Sequence, residues 1–498
     1  MRKTKTTLMI LLFSAPGFAQ TQWTKHPSNP VMTKGGSVYE AAAVGQPAVI
    51  LDNDTFKMWY VAAQDTNNAR ISYAFSDDGI TWTKYNSATP VLDIGTPGSW
   101  DDAWLDAPEI VKDAEGYKLY YYGDTAQQAP EISSAYGAAT STDGVNWTRY
   151  PGNPVFEKAD SVEWDGKWVE SPALYYNPAD SSYMMWYTGM TWFWLAGNGL
   201  ATSENGFDWT RYPVNPVTFP GDSGSFDDMW VAVPAIIRTG RIFEMWYCGF
   251  PSDGGFDSVQ TGYAVSQDGV NWLKYTGNPV FSKYYPPYDS AQDHGSPWAP
   301  DVVYNKASGE YMMWYESAGG IQLATSPRNI LFSPNCNITV SNDTAIYTGD
   351  SAVLTAAGGT LYHWYPETGL SNPRFPNPKA SPDTSSTYYS LAVGDSCVNL
   401  DSVTVSLMPV SSKNFSSGNN PGVKIFPNPF SESPRIQIKN KSGNTMFKLF
   451  HASGSLTRMY ENITDDFMLY RKDLPAGLYY YMLMTEAEII NMGKLVVN

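Results

Sequence analysis

The sequence predicts an all-β protein, in which a five-bladed β-propeller precedes two smaller β-sandwich regions. A unit of about 60 residues recurs from residue 23 to residue 327, and such a period is typical of repeat architectures. Within each unit, short aromatic segments alternate in hydrophobicity, as strands do. Gly and Pro are frequent, at 41 and 35 residues, and Asp-Gly or Asn-Gly pairs supply the backbone conformations of tight turns. We therefore expect many short strands and few helices.

Each unit predicts four strands in a fixed order. An aromatic phrase opens it: WTKHPSNPV at Trp23, with related phrases at Trp82, Trp147, Trp209 and Trp272. A Pro-containing apolar strand follows, then an aromatic strand such as YMMWYTG, then a strand that ends in a turn such as STDGVNW. The fifth unit lacks its own closing phrase, so the phrase at Trp23 is expected to complete the last blade. This pairing would close the ring and remove an exposed sheet edge.

Composition excludes several functional classes. The 498 residues carry 32 Lys and Arg against 49 Asp and Glu, a net charge of −17 with a pI near 4.6. Binding to phosphate needs clustered basic side chains, so nucleic acid and anionic membranes are not expected as partners. Aromatic residues make up 15% of the chain, which is far above the content of disordered chains. The sequence predicts a folded protein with a large core.

Residues 1–19 have the pattern of a signal peptide. A basic start with Arg2, Lys3 and Lys5 precedes a short apolar run, and Ala19 supplies a small residue at a cleavage site. No later stretch approaches the roughly 18 apolar residues of a membrane span. We therefore expect export, either as a secreted protein or to the cell surface at the outer membrane.

Three cysteines occur in the chain. Cys336 and Cys397 could form a disulfide in an exported protein, although three cysteines allow three pairings. Cys248 lies in an apolar strand and is expected to be a small buried hydrophobic residue.

Two further regions follow the predicted propeller, which spans residues 20–333. Residues 334–409 have short alternating strands around Trp364 and resemble the immunoglobulin-like (Ig-like) β-sandwich domains of secreted bacterial surface proteins. A Ser/Asn/Gly-rich linker covers 410–421. Residues 422–498, with VKIFPNPF, LPAGLYYYML and a terminal GKLVVN, resemble the small C-terminal β-sandwich sorting domain of the type IX secretion system of Bacteroidetes. This resemblance implies the type IX secretion machinery as a partner.

The inner strands can be aligned on their Pro residues to separate repeated residues from unique ones. Seven positions before the Pro, every unit has an acid: Glu40, Asp101, Asp165, Asp227 and Asp293. An acid in every blade is expected to cap a loop rather than to form one active site. Two positions before the Pro, the residues differ between blades: Gly45, Asp106, Glu170, Ala232 and Trp298. Catalysis needs different groups around one substrate, so Asp106 and Glu170 are the favoured candidates.

The inner strands of a propeller begin at one mouth of its central channel. Aromatic residues are expected to surround that mouth. Trp104, Trp168, Trp230 and Trp298 begin the inner strands, and Trp192 and Trp194 lie in a long loop of the third unit. Sugars stack their apolar C–H faces on such rings, although packing within the blades explains an individual Trp equally well. We predict all six as substrate-binding residues, together with Asp301.

The propeller repeat, the Asp of blade two, the Glu of blade three and the phrases VESP and WAPD resemble the arabinanase, xylosidase and invertase-type glycoside hydrolases. The resemblance implies that Glu170 is a general acid and that Asp106 tunes its pKa. Those families usually place a further Asp before the Pro of blade one, where this sequence has Gln46. Glu40 is the nearest carboxylate in sequence and becomes the predicted base, with Asp301 and Glu109, just after their Pro residues, as alternatives. The sequence is also compared with the mannoside phosphorylases, a related propeller family that uses one Asp and a bound phosphate. Asp106 could be that acid, but the sequence has no evident Arg/His cluster to hold phosphate.

The sequence thus predicts a secreted carbohydrate-active protein, a glycoside hydrolase acting on plant or algal poly- or oligosaccharide. A non-catalytic glycan-binding or adhesion propeller remains the alternative. Four His without ligand spacing predict no metal site, and no cofactor is expected.

Overall fold

The computed structural model describes residues 23–125, 135–284, 295–327, 338–394, 398–408, 422–439, 444–452, 455–485 and 489–498. The predicted signal peptide, the linker 410–421, Asp293, Cys336 and Cys397 lie outside these residues. The chain divides into two compact units, the first with the strands of the predicted propeller and the second with most of the later strands. None of the described helices is long and apolar enough to cross a membrane.

The first unit is built from short strands and three single-turn 3-10 helices among its described residues. The helices are Val38–Glu40, Tyr85–Ala88 and Phe256–Ser258. The strands are β1 (Thr24–Lys25), β2 (Ala43–Asp52), β3 (Thr55–Ala63), β4 (Ala69–Ser76), β5 (Thr83–Lys84), β6 (Trp104–Lys112), β7 (Tyr117–Asp124), β8 (Ala135–Ser141), β9 (Thr148–Arg149), β10 (Phe156–Glu157), β11 (Trp168–Asn177), β12 (Ser182–Met190), β13 (Ala196–Ser203), β14 (Thr210–Arg211), β15 (Trp230–Thr239), β16 (Ile242–Phe250), β17 (Gln260–Ser266), β18 (Leu273–Lys274), β19 (Trp298–Asn305), β20 (Glu310–Ser317) and β21 (Gly320–Pro327).

These strands form five antiparallel blades, which confirms the predicted all-β propeller. The blades are β2–β5, β6–β9, β11–β14, β15–β18 and, for the last, β19–β21 with β1. β1 pairs with β21, with Thr24 opposite Thr325, so the first strand of the chain closes the last blade as expected. Closure leaves that blade without an unpaired edge at this point.

A β-bulge interrupts every inner strand at the residue before its Pro. The register shifts there in β2, β6, β11, β15 and β19. The bulged residues have a positive φ of 42° to 54°: Gln46, Ala107, Ser171, Val233 and Ala299. Bulges next to functional sites re-aim side chains, and the positive φ of β-branched Val233 is sterically costly. The same distortion occurs in all five blades, directly after the residues that differ between blades.

Buried tryptophans join neighbouring blades. Trp59, Trp186 and Trp314 occupy the same position in their second strands and are fully buried. Each indole N–H donates to the carbonyl of a turn glycine in the next blade, Gly144, Gly269 and Gly79 respectively, at 2.7 to 2.9 Å. The Asp-Gly turns therefore serve packing between blades.

The second unit is also built from strands. They are β22 (Thr339–Val340), β23 (Thr344–Tyr347), β24 (Ala352–Val353), β25 (Ala356–Ala357), β26 (Leu361–Tyr365), β27 (Lys379–Ala380), β28 (Ser386–Val393), β29 (Val398–Met408), β30 (Gly422–Phe426), β31 (Arg435–Lys439), β32 (Met446–His451), β33 (Leu456–Tyr460), β34 (Asp466–Met468), β35 (Gly477–Met484) and β36 (Ile489–Val497). A four-stranded sheet, β23-β29-β28-β26, carries the buried Trp364 on β26, and the sheet β33-β32-β35-β36 contributes to a separate core. The Ig-like and sorting assignments stay predictions.

Candidate functional site at the channel mouth

The repeated acids form structural ion pairs. Glu40 is fully buried and accepts hydrogen bonds from Tyr60 at 2.8 Å and from the Lys84 ammonium at 2.7 Å. The same acid, tyrosine and basic side chain recur in three other blades, as Asp101 with Tyr121 and Arg149, Asp165 with Tyr187 and Arg211, and Asp227 with Tyr247 and Lys274. The structure thus places Glu40 in a repeated packing network. Its two oxygens are already engaged, so it is not available as the base that we assigned to it.

Breaking one of these pairs is expected to destabilise the protein without altering its chemistry. Lys84→Met leaves the Glu40 carboxylate buried and without its counter-ion, which should cost about 3 kcal/mol of unfolding free energy. The control, Lys112→Met, removes a 40% exposed ammonium and should change stability by less than about 1 kcal/mol. Urea unfolding measures both values. A Lys84→Met protein as stable as the wild type would contradict the structural assignment of Glu40.

Asp106 and Glu170 reach the same mouth from neighbouring blades. They hold the equivalent position before the bulge in β6 and β11, opposite Tyr122 and Thr188. Asp106 accepts hydrogen bonds from the Trp104 indole at 2.9 Å and from the Ala107 N–H at 2.7 Å. Both carboxylates keep part of their surface exposed. The structure therefore brings together the two acids that the repeat comparison singled out.

Electrostatics makes these two acids unequal. Burial raises the pKa of the Asp106 carboxyl, and its hydrogen bonds from Trp104 and Ala107 oppose that effect. Burial, followed by the negative charge of Asp106, raises the pKa of Glu170 to about 7. A carboxyl group with such a pKa holds a proton near neutral pH and can donate it.

A third carboxylate, Glu316, lies at this mouth and was missed in the sequence comparison. It stands on β20 opposite Trp298. Burial and the charge of Asp106 raise the pKa of Glu316 to about 7, while a hydrogen bond from the Gln46 N–H at 3.1 Å lowers it. A signal existed in the sequence, because the equivalent second-strand residues also differ between blades: Val61, Tyr122, Thr188, Cys248 and Glu316. The inner strands alone do not reveal it.

Gln46 has a structural contact of its own. Its side-chain oxygen accepts a hydrogen bond from the Ala107 N–H at 2.9 Å, in the bulge of the next blade. Thr188 of blade three accepts a hydrogen bond from the Val233 N–H of blade four in the same way, at 2.8 Å. Val61, the corresponding residue of blade one, has no acceptor to offer Ala107. Gln46 thus gives the Ala107 N–H an acceptor from blade one, in addition to Asp106.

Aromatic rings border the mouth on several blades. Trp104 and Trp168 are partly buried, and Trp168 stacks on Tyr122 at 6.1 Å between centroids. Trp230 stacks on Phe250 at 4.8 Å, and Trp298 lies 6.1 Å from Phe256, an exposed ring that the sequence comparison missed. These four tryptophans therefore belong to blade packing and to the mouth at once.

Trp192 and Trp194 are the most exposed of the predicted rings, each at 53%. The Trp194 backbone has a φ of 64°, and its carbonyl accepts a hydrogen bond from the Trp230 indole at 2.8 Å. The Lys167 ammonium lies 2.8 Å from the centroid of the Trp194 ring. This loop thus presents two exposed aromatic rings, and the Lys167 ammonium covers part of the Trp194 ring.

Asp301 lies elsewhere in the channel. It follows the Pro of β19 and accepts hydrogen bonds from the Val49 N–H of blade one and from the Val302 N–H. Glu109 caps Leu174 N–H of blade three in the same manner, at 3.0 Å. Burial raises the pKa of Asp301 to about 6, and burial together with Asp301 raises that of Glu109. Both border a cavity of about 1100 Å³, which is lined by the parts of the inner strands that follow the Pro. None of the six predicted tryptophans lines this cavity, so the structure does not group Asp301 with them.

The three mouth carboxylates are spread around the opening. Among the described residues of the first unit, no three His, Cys, Asp or Glu side chains bring their ligand atoms within 4.8 Å of one another. A cavity of about 480 Å³ adjoins Glu316 and is bordered by Trp298, Phe256 and Lys34. This cavity places Glu316 beside two aromatic rings, whereas Asp106 and Glu170 do not line it.

Sequence comparisons found distantly similar proteins. An uncharacterized protein of Mycobacterium tuberculosis is 22% identical over 232 residues, which cover 45% of this chain and 72% of that protein. A type blood N-acetyl-alpha-D-galactosamine deacetylase of Flavonifractor plautii is 24% identical over 155 residues, or 29% of this chain and 20% of that protein. No protein-family profile matches the chain.

Solved structures extend the similarity to most of the propeller's length. A Bacteroides thetaiotaomicron protein described as a glycosidase aligns with a TM-score of 0.50 and 16% identity, covering 62% of this chain and 97% of its own. At this level of identity, the likeness shows that the chain shares the β-propeller fold of such proteins.

Proposed function

We propose that this protein is a glycoside hydrolase that cleaves a plant or algal poly- or oligosaccharide. The observation that carries the proposal is the pairing of Asp106 with Glu170 at the channel mouth, where burial and the Asp106 charge raise the pKa of Glu170 to about 7. The structural likeness to a protein described as a glycosidase supports the carbohydrate class. Shared fold alone does not establish shared activity, so the site has to carry the argument.

The proposed chemistry uses Glu170 as general acid. As the bond from the anomeric carbon to the glycosidic oxygen breaks, the Glu170 proton passes to the departing oxygen, and a water molecule supplies the hydroxyl group to the anomeric carbon. In its ionised form, Asp106 raises the pKa of Glu170 and so keeps the proton on it. The Trp104 indole and the Ala107 N–H hold Asp106 in this orientation.

Product release tests this proposal. The purified protein is incubated with arabinans, xylans, fructans and mannans, and reducing sugar is measured beside a Glu170→Gln variant. Cleavage by the wild type that is lost in the variant is the expected result. Acetate release without sugar release, the chemistry named for the Flavonifractor plautii relative, would contradict it.

Non-catalytic glycan binding is the second candidate, favoured by the exposed Trp192 and Trp194 rings. It predicts that the same glycans bind to the wild type and that none is cleaved. Calorimetry with the panel separates the two functions.

We expect the loop that carries Trp192 and Trp194 to affect the affinity for glycan rather than the rate of its cleavage. Replacing Trp192 and Trp194 together by Ala should raise KM about 30-fold and leave kcat within about twofold, since stacking contributes roughly 1 kcal/mol per ring. Phe375→Ala, which removes a 57% exposed ring outside the propeller, is the control and should change neither constant. Unaltered KM in the double variant would contradict a role of this loop in binding.

Export remains part of the proposal. The N-terminal segment and the C-terminal resemblance together favour secretion or display through the type IX machinery. Mass spectrometry of the protein recovered from its native host should find a mature chain that begins at Gln20.

A further inference from the structure

One second-strand position is equivalent in all five blades. These residues lie opposite the residue that precedes each bulge. Thr188 and Glu316 use the position to accept the bulge N–H of the following blade, Val233 and Gln46 respectively. A neutral hydroxyl is sufficient for this cap, as Thr188 shows. The charge and the second oxygen of Glu316 therefore exceed what capping requires.

Blade one is shaped to receive the Glu316 carboxylate. A Cβ atom on Gly45 would lie 2.2 Å from Glu316 Oε2 and 2.5 Å from its Cδ. Glu316 thus extends from blade five over the backbone of blade one, and it can do so because residue 45 has no side chain. The carboxylate lies beside Gln46, in the blade where the sequence offered no suitable acid.

Glu316 and Glu170, the proposed acid, are affected by the same charged neighbour. The Asp106 charge raises the pKa of Glu170 and of Glu316 alike, and both glutamates contribute to raising the pKa of buried Cys248 to about 12, which burial mainly causes. Glu316 also borders the 480 Å³ cavity together with Trp298 and Phe256. A sugar ring against these aromatic faces would lie beside the carboxylate.

We propose that Glu316, supplied by blade five, is the second catalytic carboxylate of this site and activates the attacking water. This assignment rests on the proposed function. In the form with Glu170 protonated and Glu316 ionised, Glu316 accepts one proton from water while the water oxygen bonds to the anomeric carbon. The bond to the leaving oxygen breaks with its electron pair, and that oxygen receives the Glu170 proton. One water molecule is consumed, and the two carboxyl groups have exchanged protonation states.

Glu316→Gln tests the charge without removing the cap, because the amide oxygen can still accept from the Gln46 N–H. We expect kcat to fall at least 100-fold with KM within about threefold. Thr188→Val is the matched control, because it removes a cap of the same kind but no charge, and it should lower stability while kcat changes less than threefold. A Glu316→Gln enzyme with kcat within threefold of the wild type would overturn the assignment.

Two further measurements separate catalysis from a structural role. Azide added to Glu316→Ala should restore turnover at least tenfold and yield a glycosyl azide, because a small anion can replace the attacking group where the carboxylate was. Gly45→Ala should displace the carboxylate and lower kcat at least tenfold in a folded protein. Absence of rescue, or an unchanged kcat in Gly45→Ala, would contradict the proposal.

The outcomes also separate the hydrolase function from the role of Glu316. Loss of activity in Glu170→Gln but not in Glu316→Gln would leave the hydrolase function standing and remove Glu316 from it. A wild-type protein that cleaves no member of the glycan panel would overturn both.

Discussion

Glu170→Gln is expected to lower kcat on natural glycans by roughly 10²–10⁴-fold, the usual contribution of a general acid. The amide keeps the size of the side chain but cannot give a proton to the leaving oxygen. In the wild type, kcat/KM should fall as the pH rises through about 7, because Glu170 then loses its proton. The variant should lack this fall. Initial rates between pH 4 and pH 9 measure both effects.

Aryl glycosides provide the control for Glu170. A dinitrophenolate departs without protonation, so the variant should lose far less activity on such a substrate than on a natural glycan. Equal losses on the two substrates would argue against Glu170 as the proton donor and for a role in binding.

Asp106→Asn is expected to move the basic limb of the pH profile down by about one unit, the lower end of the effect of a neighbouring charge. The direction follows from the sign of the charge. The Asp106 carboxylate raises the pKa of Glu170, so its neutralisation lowers that pKa, and Glu170 loses its proton at a lower pH. Activity at pH 7 should therefore fall more than activity at pH 5.

Circular dichroism and thermal unfolding check that the Asn variant remains folded. The amide keeps an acceptor for the Trp104 indole or for the Ala107 N–H. A profile that loses height without moving along the pH axis would show that Asp106 acts on the substrate rather than through the pKa of Glu170.

Much of the fold could be predicted because it repeats. A five-fold pattern of strands, turns and aromatic residues leaves few architectures, and the missing phrase in the last unit indicated how the ring closes. The same repetition indicated that Glu40 belongs with Asp101, Asp165 and Asp227, and the structure shows these four acids in equivalent ion pairs. Glu40 was predicted as a base because it is the nearest carboxylate in sequence. That prediction conflicts with its place in the repeat.

The bulges were not predicted. Nothing in the residues before the Pro, which include Val233 and Gln46, marks a positive φ. The conformation is stable because neighbouring blades supply acceptors for the bulge N–H groups, and those acceptors come from distant parts of the chain.

The sequence by itself determined the propeller, the closing strand and the two inner-strand acids, because each of these follows from the position of a residue within its own repeat. Only the tertiary structure decided that Glu316 reaches blade one, since the residues in contact, Gln46 and Glu316, are 270 positions apart. Ring closure brings the first and last blades side by side, and the absent side chain of Gly45 leaves space for the carboxylate. A contact of this kind depends on which blades are neighbours and on how far a side chain extends, and neither is recorded in any single repeat.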